Sequence, residues 1–137
     1  MHPQVVEKYL SANDTGATGG HQAGILIPKA GSVLLFFPPL EATVKNPRAV
    51  FNVTDDAGGQ WPLVFIHYNN RYFGGTRNEY RLTGMTRFFR AFNLHARDKI
   101  ILKHVSPQLT RILYERPIKS GQVLKLSDSW VVVDGQF

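Results

Sequence analysis

The stretch Ala49-Val-Phe-Asn-Val-Thr-Asp-Asp-Ala-Gly-Gly-Gln-Trp-Pro-Leu-Val-Phe-Ile-His-Tyr68 decides the fold class. Ala49 to Thr54 alternates apolar and polar residues with the period of two that a half-buried strand requires. Asp55-Asp-Ala-Gly-Gly59 is a hairpin turn, because glycine supplies turn conformations and aspartate bonds its own backbone. Trp61 to Tyr68 is rich in β-branched and aromatic residues and reads as the returning strand.

Outward from this hairpin the same signals recur. On the C-terminal side Asn69-Asn70 turns the chain and Gly74-Gly75 turns it again before a strand over Thr76 to Leu82. Thr86-Arg-Phe-Phe-Arg-Ala-Phe92 is the best helix candidate, with Thr86 as N-cap and Phe88, Phe89 and Phe92 on one face. Short strands follow at Ile100 to Val105, Arg111 to Tyr114, Gln122 to Leu126 and Trp130 to Val133. On the N-terminal side Gly24-Ile-Leu-Ile-Pro28 suits a strand ending at proline. Ala30 to Phe37 reads as one or two helical turns stopped by Pro38-Pro39. Ser11 to Gly20 is small, polar and glycine-rich, hence a loop, and Gln4 to Leu10 fits strand or short helix equally. Seven or eight strands with one or two short helices predict a mostly-β barrel or sandwich.

The chain has 137 residues, one domain's length, with 43% hydrophobic and 19% charged residues, which excludes a disordered chain. No repeat or long linker divides it. With no cysteine there is no disulfide framework, no cysteine zinc site and no thiol nucleophile. That fits a reducing compartment. The longest apolar run, Ser32 to Leu40, is about half the ~20 residues a spanning helix needs, and prolines interrupt it. Met1-His-Pro-Gln does not open a signal peptide. The expectation is a cytoplasmic protein with no membrane segment.

A net charge of +6 points to a polyanionic partner. The whole excess lies between His67 and His104, where Arg71, Arg77, Arg81, Arg87, Arg90, Arg97, Lys99 and Lys103 face only Glu79 and Asp98 as acids. Within it, Arg77, Glu79 and Arg81 alternate and line one face of a strand, with Asn78, Tyr80 and Leu82 on the other. Arginine forks onto guanine O6 and N7, glutamate accepts from cytosine N4, and asparagine pairs with adenine. A lone glutamate in a basic patch is a base reader or a clamp that orients the arginines. Against this stands the solvated basic strand that most charge runs prove to be.

The second polar segment, Ser11-Ala-Asn-Asp-Thr-Gly-Ala-Thr-Gly-Gly-His-Gln22, carries short donors and acceptors on a slim backbone, although its composition also suits an ordinary surface loop. It has neither a dinucleotide-binding glycine pattern nor a Gly-Lys-Ser/Thr ending, so an ATP site is not expected.

Ser11 to Pro28 and Tyr68 to Thr83 together resemble the N-terminal effector domain of EcoRII-type restriction endonucleases. Gly84 to Leu102 is similar to the plant B-three DNA-binding pattern of a short aromatic helix, Asn-x-Leu, an acidic turn and a strand. The resemblance implies a DNA-binding pseudobarrel of about seven strands with two arms that grip duplex DNA from the major-groove side. Ser11 to Gln22 would lie in the N-terminal arm and Arg71 to Arg81 in the C-terminal arm. Relatives of this type read 5′-CC(A/T)GG. Asn13, Asp14, Thr15, His21, Gln22, Arg71, Arg77, Asn78, Glu79 and Arg81 match the family pattern. Gly75 and Tyr80 stand where the family has lysines, and Leu26 where it has tyrosine; these departures would remove phosphate or flanking contacts.

The resulting expectation is a single DNA-recognition domain over 1–137, cut from a longer restriction endonuclease whose catalytic domain lies elsewhere. Asn13, Asp14, Thr15, His21, Gln22, Arg77, Asn78, Glu79 and Arg81 are the candidate base readers, and Arg71, Arg87, Arg90 and Lys99 the candidate phosphate contacts. Double-stranded DNA and the catalytic domain are the expected partners, no cofactor is expected, and the isolated domain is expected to be monomeric. Two other classes compete. A complete small magnesium nuclease would need acidic ligands and a lysine, for which Glu79-Tyr-Arg81 is a poor imitation because arginine does not deprotonate. An RNA-binding barrel would stack unpaired bases on Tyr68, Tyr72 and Phe73.

Overall fold

The computed structural model describes residues 2–16, 24–116 and 129–133. Eight strands form one sheet: β1 (Val5–Tyr9), β2 (Ile25–Ile27), β3 (Arg48–Thr54), β4 (Gln60–Tyr68), β5 (Glu79–Thr83), β6 (Lys99–Ser106), β7 (Leu109–Glu115) and β8 (Trp130–Val132). Their spatial order is β2-β5-β4-β3-β7-β6-β1-β8. The mostly-β expectation therefore holds, and Gln4 to Leu10 resolves as strand.

The sheet curls until its edges meet. Among the described residues β8 and β2 share no ladder; instead the indole N–H of Trp130 donates to the carbonyl of Leu26 at 2.9 Å. In mid-sheet, β3 and β7 touch through a single parallel bridge, Thr54 with Arg111. Beyond it the strands diverge around a cavity of about 670 Å³ whose walls include Phe36, Phe51 and His104. The barrel interior is filled from both sides of this seam by Val6, Leu10, Phe37, Phe51, Leu63, Phe65, Leu82, Phe88, Ile100, Leu102 and Ile112. Burying each such large side chain contributes roughly 1.5–3 kcal/mol.

The hairpin that decided the fold class forms as expected, with β3 and β4 paired from Arg48–Ile66 to Thr54–Gln60. Asp55 organises its turn. The buried carboxylate accepts from the N–H groups of Ala57 and Gly59 at 2.8 and 2.9 Å and from the indole of Trp61 at 2.9 Å.

Several local expectations are corrected. Ser11 to Gly20 is not all loop: Ala12–Thr15 forms one helical turn, α1. Ser11 caps it, accepting from Asp14 N–H while Asp14 accepts from Ser11 N–H, and Gly16 ends it in the left-handed region at φ 80°. The expected strand over Thr76 to Leu82 begins only at Glu79, because Asn70–Phe73 winds into a 3-10 turn that carries the chain sideways first. The aromatic helix, α2, spans Thr86–Ala91, but Thr86 is inside it and Met85 is the cap residue, with no side-chain cap bond. Ala30 to Phe37 contains a 3-10 turn at Val33–Phe36. The strand expected at Gln122 to Leu126 lies outside the described residues. No helix among the described residues is long and apolar enough to cross a membrane.

Candidate nucleic-acid interface

β5 is the inner member of the trio β2-β5-β4. Its register sets Glu79 opposite Tyr68, Tyr80 opposite His67 and Arg81 opposite Ile66, while Leu26 of β2 faces Arg81 from the other side. The expected alternation is present: Leu82 is fully buried and Tyr80 stacks on His67, with ring centroids 4.0 Å apart. Arg77, Glu79 and Arg81 converge on the opposite side.

Glu79 binds both arginines. Its Oε1 accepts from Arg77 Nε at 2.5 Å and its Oε2 from Arg81 Nη2 at 3.1 Å. All three side chains are partly exposed, at 39%, 25% and 20% for Arg77, Glu79 and Arg81. Arg77 also lies over the ring of Tyr68, its Cζ 3.8 Å from the centroid, a cation–π contact that steadies the guanidinium. Arg81 Nη1 donates to the carbonyl of Gly24 at 2.8 Å, and its Nε is buried without a hydrogen-bond partner among the described residues. Burial pushes the Glu79 carboxyl up, but hydrogen bonds and charge from Arg81 and then Arg77 outweigh it, and the net displacement is downward. Glu79 thus stays ionised between two cations.

The loop leading into this strip is stitched to itself. Asn70 Oδ1 accepts from Arg77 N–H at 2.6 Å, Asn70 O accepts from Gly75 N–H at 2.7 Å, and Arg71 N–H donates to Arg77 O at 2.9 Å. A Cβ on Gly75 would meet the Asn70 amide at 2.7 Å, so glycine permits the close approach. Asn69, buried, anchors the base of the loop through Asn46 N–H and Val44 O.

The other element bearing candidate readers is α1, which follows β1. Asn13 is exposed on it and Thr15 half-buried. Asp14 is committed differently from a free reader: its Oδ2 accepts from Ser11 N–H and from the buried ammonium of Lys8. Lys8 pairs with Trp130, Trp130 bonds Leu26, and Leu26 pairs with Arg81, so few residues separate the two elements. Beside α1 a cleft of about 270 Å³ is lined by Lys8, Ser11, Asp14, Leu26, Pro28 and Trp130 among others. His21 and Gln22 lie outside the described residues.

The four candidate phosphate residues are dispersed. Arg71 is exposed on the loop beside the strip. Arg87 and Arg90 are exposed on α2, which packs Phe88 on Trp61, ring centroids 5.3 Å apart. Trp61 and Tyr68 sit at opposite ends of β4, roughly 20 Å apart at the rise of a strand, so α2 is remote from the Glu79 end. Lys99 is on β6 with its ammonium 3.3 Å from Glu7 and 3.5 Å from Glu115. Asn78 turns its amide oxygen to His67 Nε2 at 2.7 Å, which occupies the acceptor that bidentate pairing with adenine would use. Tyr68, Asn69 and Asn70 build the strip without having been candidates for it; only strand register reveals Tyr68, and only the folded loop reveals the two asparagines. Among the described residues no three His, Asp or Glu side chains gather as a metal site would require.

The class of protein is a restriction-enzyme domain: the chain belongs to the family of restriction endonuclease EcoRII N-terminal domains, which residues 3–97 match. A relative is the Type II restriction enzyme EcoRII of Escherichia coli, 47% identical over 79 residues; the alignment covers 56% of this chain and 19% of that enzyme.

Proposed function

We propose that this chain is a sequence-specific reader of double-stranded DNA, entering the major groove at a 5′-CC(A/T)GG-like site. The observation that carries this reading is Glu79 held between Arg77 and Arg81 on a partly exposed strip. Arg77 spends Nε on Glu79 and keeps both Nη groups for guanine O6 and N7. Arg81 spends one N–H of each Nη group and retains one on each. Glu79 keeps lone pairs for a cytosine N4 amine flanked by those guanines. Oriented side chains of this kind lose little entropy on binding, which favours discrimination between bases.

In this reading α1 brings Asn13 and Thr15 to the other side of the site, and Arg71 contacts phosphate beside the strip. Arg87 and Arg90 would meet the backbone farther along the duplex. The domain serves a type II restriction endonuclease of the bacterial cytoplasm as its effector or targeting part, binds as a monomer, needs no cofactor for binding, and leaves cleavage to a catalytic domain elsewhere in the parent.

Selection from a randomised duplex library tests the reading. Enrichment of one short G·C-bounded motif is expected. Recovery of unenriched duplex, or tighter binding to single-stranded RNA in competition, would overturn it. Incubating the chain alone with Mg²⁺ and duplex carrying the selected motif is expected to leave the DNA intact; specific cleavage would make the chain a complete nuclease.

A further inference from the structure

Lys29, just past β2, is brought to the reading strip by folding alone. Its ammonium donates to the main-chain carbonyl of Asn78 at 2.9 Å, across 49 positions of sequence. The residue is exposed, and among the described residues it has no carboxylate within ion-pair distance. One of its three N–H donors is used, and two remain.

The side chain of Asn78 serves a second donor. His67, stacked flat on Tyr80 at an interplanar angle of 12°, occupies the amide oxygen of Asn78. The amide nitrogen is thereby directed to Tyr72, donating to its hydroxyl at 3.4 Å. Tyr72 is 66% exposed. A hydroxyl that accepts from Asn78 has its own O–H free to donate. Asn78 therefore holds an ammonium by its main chain and a phenol by its side chain, one residue away from Arg77 and from Glu79.

We infer that Lys29 and Tyr72 form a phosphate subsite for the DNA backbone beside the Arg77–Glu79–Arg81 strip, with Asn78 as its positioning residue. The inference rests on the DNA-reading function proposed above. A cation and a neutral O–H donor suit the two non-bridging oxygens of a phosphodiester. Neither donor reads sequence; together they fix how far the strip enters the groove.

Binding of the full chain to a motif-bearing duplex and to a scrambled one, measured across a salt series, tests this. Lys29→Gln should weaken both duplexes by the same factor and reduce the slope of log K against log salt by about 0.9, the value for one lost phosphate contact. Tyr72→Phe should weaken both by about two- to tenfold, as loss of one hydrogen bond does, with the slope unchanged. Asn78→Ala should reproduce the Tyr72→Phe loss and add nothing to it in the double variant. An unchanged slope in Lys29→Gln, unchanged affinity in Tyr72→Phe, or an Asn78→Ala effect confined to one base pair would overturn the subsite while leaving the DNA reading intact. If the unmutated chain itself shows no salt-dependent binding to duplex, the DNA reading falls and the subsite with it.

Discussion

Arg81 donates to the main-chain carbonyl of Gly24 at 2.8 Å, although 57 positions of sequence separate them. The contact ties the start of β2 to the Arg81 end of the Arg77–Glu79–Arg81 strip. It exists because β2 pairs with β5 and Gly24 adopts φ 98°, a left-handed conformation, just before β2.

Gly24 therefore tolerates no side chain. A Cβ there would lie 2.3 Å from the carbonyl oxygen of Leu82, and the conformation itself disfavours any L-residue. Gly24→Ala should destabilise the fold by more than about 1 kcal/mol, seen as a lower denaturant midpoint. It should also weaken DNA discrimination by displacing Arg81. A variant with unchanged stability would show that β2 does not hold this geometry.

Arg81→Ala should cost on the order of 1–3 kcal/mol in binding and relax discrimination at one base pair. Glu79→Gln should relax discrimination more than affinity, because it frees both guanidinium groups while removing a negative charge. Gel shifts on a set of single-base variants of the motif separate these outcomes. Equal weakening on every sequence would remove the base-reading role.

Asp14→Ala should be a stability variant. It removes the Asp14 half of the capping box of α1 and leaves the buried ammonium of Lys8 without its carboxylate. Breaking a buried pair in this way costs about 3–5 kcal/mol. Urea unfolding measures it; an unchanged midpoint combined with lost DNA binding would instead make Asp14 a reader.

Acid should weaken the fold through Asp55 and Glu79. The indole of Trp61 holds the Asp55 carboxyl below its ordinary range, and Glu79 is net lowered by Arg81 and Arg77 against the push of burial. For carboxyls lowered in the folded state, the stabilisation is complete above the unfolded value of about 4 and is lost as pH falls toward the folded one. Denaturant midpoints should hold from neutral pH to about 5 and decline below it, and Asp55→Asn should flatten that decline. An identical acid limb in the variant would exclude Asp55 as a cause.

The parts of this molecule written in local pattern are those legible without a structure. Ala49 to Tyr68 carries both its alternation and its glycine turn, so β3 and β4 could be read off directly. The same period placed Arg77, Glu79 and Arg81 on one face. Helix α1 had a signal too, Ser11 followed three residues later by Asp14, but the neighbouring glycines dominate the composition. Thr86 looked like a cap because of its chemistry, whereas burial of Met85 sets where the helix begins. The contacts of Arg81 with Gly24, Lys29 with Asn78 and Asn78 with His67 depend on strand register and on which strands become neighbours. No spacing in the chain encodes them.

Among the described residues the barrel has two lines of weakness, one bridge between β3 and β7 and one indole bond between β8 and β2. Those lines divide it into two four-stranded shells. The reading strip stands on β5 in one shell, and α1 extends from β1 in the other. What fixes the shells against each other is chiefly the apolar filling between them, in which Phe37, Phe51 and Phe65 from one side meet Val6, Leu102 and Ile112 from the other. The span between the strip and α1 is therefore a packing variable. Under the DNA-reading function proposed above, a change of core volume, far from any nucleotide, would reset the jaw width of the reader.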